Sequence, residues 1–223
     1  PRTWLRCLSV VPLVLAMAPT FQAERPFLRI SEDARQVAII APSTEAAAQQ
    51  FAVNRNRPNR FTVDQWADAD AVDPAQLIKP TEVVQTNHTN RFYCDGEGIC
   101  SVRYNNGHDP PIDIAVVEKP SAGRAKLCIQ HDLIIEAYAP AKLDCTGQAK
   151  PTTIIRAQTL ALNGAAQVFL RQTQNATSNP AGDHLAARPG LEVRHALDGK
   201  LRPWHAHRVY SRSARNLAPY QRQ

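Results

Sequence analysis

Between residues 82 and 174 the apolar positions fall in short runs rich in Val, Ile, Tyr and Phe, separated by turn residues. That spacing is the pattern of strands rather than of amphipathic helices. It predicts strands at Glu82–Thr86, Arg91–Asp95, Ile99–Tyr104, Ile112–Glu118, Lys126–Gln130 and Leu133–Tyr138, then two longer ones at Thr152–Leu162 and Ala166–Thr173. Asn105-Asn-Gly107 and Asn163-Gly164 supply turns, because Asn and Gly tolerate positive φ, and the second predicts a hairpin. Helix remains an alternative over Thr153–Leu162, where Ala157, Leu160 and Ala161 suit either state. The fold class expected is mainly β: an antiparallel sandwich or barrel over residues 80–175.

The flanks lack this pattern. Residues 24–79 read as a polar, partly helical or linker segment, with a short helix at Ala46-Ala-Ala-Gln-Gln50 and an exposed loop at Asn54-Arg-Asn-Arg-Pro-Asn-Arg60. Asp64, Asp68, Asp70 and Asp73 surround Trp66 without the ordered spacing of a calcium loop. Residues 176–223 read as a disordered tail rich in Arg and His, with too little apolar surface to offset chain entropy. At the other end, Arg2 and Arg6 precede the apolar run Leu8–Ala18. Such a run is too short to span a bilayer, and the order of charge and apolar residues is that of a secretory signal over residues 1–23. A buried N-terminal helix is the competing reading. With the signal removed, no transmembrane span is expected.

Composition narrows the class. The chain has 223 residues, 43% hydrophobic and 21% charged, with 17 Pro and 9 Gly, which suits one or two domains and excludes collagen-like and coiled-coil architectures. Its net charge is +6. Residues 183–223 hold eight Lys or Arg against three Asp or Glu, so the basic character is concentrated in the tail. An anionic surface such as lipid headgroups or cell-wall polymers is the partner that charge suggests; a nucleic acid is disfavoured for an exported chain. A protein partner in the envelope or outside the cell is the other expectation.

Beyond Cys7 in the signal, Cys94, Cys100, Cys128 and Cys145 form an even set, as expected for two disulfides in an oxidising compartment. Local geometry favours Cys94–Cys100 with Cys128–Cys145, since Asp95-Gly-Glu-Gly98 can turn the chain between the first pair. Neither spacing matches the short Cys-x-Cys intervals of a zinc site.

Catalytic chemistry is thinly signalled. His131, with Glu136 or Asp144 nearby in sequence, is the candidate general base; His88 and His108 are others that folding could bring in. His131 and the adjacent Asp132 would face opposite sides of a regular strand, so a turn is their expected role. His205 and His207 would share one side of an extended strand and are the candidate metal ligands, with His184 and His195 upstream. There is no Gly-x-Ser-x-Gly element and no Gly-rich phosphate loop, so no cofactor is expected. Asn87-His-Thr89 and Asn175-Ala-Thr177 match the glycosylation acceptor pattern. The function expected is that of an exported, non-enzymatic binding or assembly protein of the cell envelope or extracellular space. A small secreted hydrolase using a histidine base, or a metal-binding protein, is the alternative. A deep polar cleft holding two or more convergent ionisable groups in the folded domain would overturn the non-enzymatic reading.

Overall fold

The computed structural model describes residues 24–41, 49–75, 77–81, 89–107, 110–119, 124–138, 143–148, 150–171, 190–197 and 203–218. The signal segment, the predicted strand Glu82–Thr86, residues 46–48 of the predicted short helix, and His88, His108 and His184 lie outside them, as do Asn87 and Asn175.

Eleven strands among the described residues form two sheets. Sheet A has the order β11-β10-β1-β2-β3-β4, from β1 (Leu28–Ile30), β2 (Val37–Ala41), β3 (Gln50–Val53), β4 (Leu77–Ile78), β10 (Ala166–Arg171) and β11 (Gly190–His195). Sheet B has the order β5-β6-β7-β8-β9, from β5 (Tyr93–Cys94), β6 (Ile99–Tyr104), β7 (Ile112–Val117), β8 (Leu133–Glu136) and β9 (Thr153–Arg156). Neither is purely antiparallel, contrary to expectation. β3 and β4 run parallel, and so do β7, β8 and β9. Both sheets are open, so the barrel is excluded.

Alternating residues of each strand divide between two cores. Leu28, Ile30, Val37, Ile39 and Val168 of sheet A join Val102, Ile114, Val116, Leu133 and Ile135 of sheet B in one central cluster. The opposite face of sheet A, with Ala38, Ile40, Phe51 and Val53, packs on helix α1 (Arg60–Asp70) through Val63, Trp66 and Ala67. On the far side of sheet B, Ala115, Val117 and Ile134 meet Leu127 and Cys128 of helix α2 (Arg124–Gln130). Strands covered on both faces are near-continuous apolar runs, as in Val37-Ala-Ile-Ile-Ala41 and Leu133-Ile-Ile135.

Parallel pairing explains the first of two departures. Joining parallel β7 to β8 requires a crossover, and Lys126–Gln130 forms the helix of that crossover instead of a strand. Leu127 and Cys128 are buried while Ile129 is exposed, a one-sided pattern that serves a helix against a sheet. After β9 the chain turns into helix α3 (Ala157–Asn163), so Asn163-Gly164 ends a helix rather than turning a hairpin. Gly164 takes φ +81° there, its N–H donating to Leu160 O at 2.7 Å.

Among the described residues, both flanks carry regular structure. Residues 24–79 supply β1–β4 and α1, so the β structure does not begin near residue 80. Within the expected mobile tail, β11 pairs along six residues with β10, and Leu191 and Val193 pack on the central cluster. A 3-10 helix spans Pro203–Tyr210. Charge counting missed the reason: Arg194 pairs with Glu192 and Glu24 and lies over the Phe169 ring, and Arg208 pairs with Glu32. Disulfides close Cys94–Cys100 and Cys128–Cys145. Among the described residues no helix is long and apolar enough to cross a membrane.

Candidate functional site

At one end of sheet A the β1–β2 turn faces the start of α1 across a polar cleft of about 610 Å³. Two buried amides brace the backbone around it. Asn54, at the end of β3 and 2% exposed, accepts from Val37 N at 2.8 Å and donates to Arg35 O and Glu118 Oε1. Gln36, 4% exposed, accepts from Asn59 N and donates to Asn59 O, tying the turn to the helix cap. Buried amides are costly unless satisfied, and these are bonded on both ends, so they tie the backbone of Arg35 and Asn59 to β3 and the helix cap. The expected exposed loop at Asn54–Arg60 is therefore anchored at its first residue.

Arginines line the walls. Arg55 is held by Glu118 through Nε and Nη2 at 3.2 and 3.1 Å. Arg35 and Arg57 are exposed and make no side-chain ion pair among the described residues. The acids beside them are engaged: Glu32 by Arg208 at 2.7 Å, Asp33 by Ser31 Oγ and Arg35 N. Thr62, Ser211 and Ser213 complete the rim. A second cleft of about 430 Å³ shares Arg55 and Arg57 and is walled by Cys94, Cys100, Gly98 and Lys119. The Cys94–Cys100 disulfide and Gly98, at φ +91° against the Lys119 side chain, shape that wall. The Asn54 carbonyl oxygen lies 3.4 and 3.5 Å from the two sulfurs.

The candidate catalytic residues do not converge. His131 follows α2; its Nδ1 lies 3.2 Å from Leu127 O, which can only accept, so Nδ1 carries the proton. Nε2 then accepts from Ser101 Oγ at 3.3 Å. Burial pushes the imidazole pKa below its ordinary value. Asp132 turns away to Lys150, at 2.9 Å, and to Asp113 N. Glu136 sits at the far end of β8, fully buried, accepting from Leu143 N and 3.7 Å from Arg156 Nε. Asp144 accepts from Thr146 N, and that bond holds its carboxyl below the usual range. Ser101, thirty residues from His131, is the partner that sequence reasoning missed; β6 and β7 pairing brings it across the sheet.

His205 and His207 lie in the 3-10 helix, not in a strand. With three residues per turn, positions two apart no longer share a side. Among the described residues no group of three His, Cys, Asp or Glu is arranged to hold a metal ion. The acidic run is dispersed as well: Asp70 forms a two-point ion pair with Arg29, while Asp64 faces Arg60.

No protein-family model, curated protein or solved structure matches this chain.

Proposed function

We propose that this chain is an exported, non-enzymatic binding or assembly protein of the cell envelope or extracellular space, built as a two-layer β-sandwich with its recognition surface in the arginine-lined cleft. One observation carries the reading: Arg35, Arg55 and Arg57 line the cleft together with hydroxyls, on backbone braced by buried, hydrogen-bonded amides, and the carboxylates beside them are already bonded. Arginine stays protonated at physiological pH and cannot act as a general acid or base there, and its planar fork suits recognition of carboxylates. The ionisable groups that would have favoured a hydrolase are here either arginines or carboxylates already bonded. Two disulfides support an oxidising compartment.

Two measurements test this. Intact mass of the chain from its exported fraction should rise by about four units on reduction, two hydrogens per disulfide. A photo-cross-linker at Thr62, on the cleft rim, should join one defined partner that the same group at Lys126 on α2 does not reach. Free thiols in the native chain, or no adduct specific to Thr62, would defeat the reading.

A hydrolase is the second reading, and the Ser101–His131 hydrogen bond favours it. It ranks second because His131 is 8% exposed and neither residue lines the two clefts. Labelling of Ser101 by a fluorophosphonate, abolished in His131→Gln, would reverse the order.

A further inference from the structure

We infer that the cleft between the β1–β2 turn and α1 takes an acidic peptide segment of a partner protein, its carboxylates seated on Arg35 and Arg57. This rests on the binding reading above and names the chemistry of its ligand.

On this wall donors outnumber acceptors. Of the two carboxylates on this wall, Glu32 is paired with Arg208, while Asp33 accepts from Ser31 Oγ and Arg35 N through one oxygen and keeps its charge, against two arginines with no ion pair among the described residues. Arg55, the third arginine, is neutralised by Glu118. What remains unspent is donor capacity: the guanidiniums of Arg35 and Arg57 and the hydroxyls on the rim. A guanidinium offers a planar fork that matches a carboxylate with two parallel bonds. The Asn54 and Gln36 networks fix the backbone on which both arginines stand, so little ordering is left to be done when a ligand arrives.

The shape favours a chain over a compact ion. The cleft of about 610 Å³ shares Arg55 and Arg57 in its wall with the neighbouring one of about 430 Å³ beside the disulfide turn, where Lys119 and Asp95 both stand. A lone sulfate or phosphate would fill a small fraction of that groove. An extended peptide with carboxylates at one end and mixed polar groups beyond would follow it. The lining hydrogen-bonds rather than stacks, which suits peptide amides and carboxylates better than sugar rings.

The test uses the full oxidised chain, isotope-labelled, titrated with a short synthetic peptide of alternating Glu and Gly and with its Gln counterpart. The Glu peptide should shift the amide resonances of Arg35, Thr62 and Ser213, and the Gln peptide should not. Arg35→Gln with Arg57→Gln should weaken the Glu peptide by about ten-fold, the size expected for two exposed charge pairs. Lys126→Gln should leave binding unchanged, and raising the salt to about 1 M should abolish it. Both arginines are exposed, and an unaltered spectrum away from the cleft verifies that the variant is folded. Equal shifts with both peptides, no shifts with either, or tighter binding of a sulfated disaccharide at the same residues would each overturn the inference. Cross-linking at Thr62 decides the underlying binding reading independently of the peptide result.

Discussion

His131 shows how one buried side chain makes the whole fold sensitive to pH. Its ring loses solvation on burial, so the charged form is disfavoured and the folded pKa lies below the ordinary 6.5. Between those two values the unfolded chain binds a proton that the folded chain does not. Stability is therefore complete above about pH 6.5, declines as pH falls towards the folded value, and levels off below it, with a slope of at most about 1.4 kcal/mol per pH unit. Gln can still donate to Leu127 O and accept from Ser101, so His131→Gln should flatten this part of the curve. Urea midpoints from about pH 5 to 8 would read it; an equally steep decline in the variant would assign the effect elsewhere. Ala71 offers a simpler case. It ends α1 at φ 54°, ψ 42°, exposed, with its neighbour Val72 N–H donating to Ala67 O. A β-carbon is disfavoured there, so Ala71→Gly should stabilise by roughly 1 kcal/mol in the same assay.

Between elements, the ties that matter are few and specific. Arg29 on β1 grips Asp70 on α1, with side chains 10% and 6% exposed. Arg29→Met leaves a buried carboxylate alone and should cost about 3 kcal/mol or more, whereas Arg29→Met with Asp70→Leu should recover most of it. A double mutant no better than the single one would show that the pair contributes more than mutual neutralisation. The disulfides differ in a related way. Cys94–Cys100 spans six positions across strands already paired, while Cys128–Cys145 spans seventeen and ties α2 to the segment after β8. Loop entropy assigns about 2 kcal/mol to the first and about 3 to the second, so Cys128→Ala with Cys145→Ala should lower the urea midpoint further. These elements also show what the linear pattern can carry. Ile99–Tyr104 and Ile112–Val117 were legible because one covered face and a flanking turn leave a period of two or a bounded apolar run. Lys126–Gln130 was not, since a seven-residue helix is too short to display its period and the parallel pairing that demands it is non-local. β11 was hidden by charge, although Leu191 and Val193 alternate with polar residues as a half-buried strand requires.

At the scale of the molecule, sheet A is assembled from both ends of the described chain: β1 sits between β2 and β10, and β10 is covered by β11. No cut at residue 80 or 175 therefore yields an independent β unit. The cleft is non-local in the same sense, drawing on residues 31–36, 55–62, 161 and 211–213, so no single window of sequence could display it. His131 was visible in sequence as a candidate, but its partner Ser101 was set by sheet pairing. The segment after residue 189 is the sharpest test of this picture. Ending the chain after Pro189 would remove β11, expose the edge of β10 and uncover Val168 where Leu191 and Val193 pack. It would also delete the bonds from Arg208 to Ala161 O and from Gln158 to Ala214 O, which dock the final segment on α3. The expected loss is on the order of 3 kcal/mol, with self-association through the bared edge. Ending after Leu201 keeps β11 but removes the Ser211 and Ser213 wall, so that chain should elute in the same state as the full chain and stay folded while losing the acidic peptide. Size-exclusion elution and thermal melting of the three lengths separate these outcomes. Equal melting of the full chain and the chain ended at Pro189 would show that the basic segment contributes nothing to the fold, as its composition alone implies.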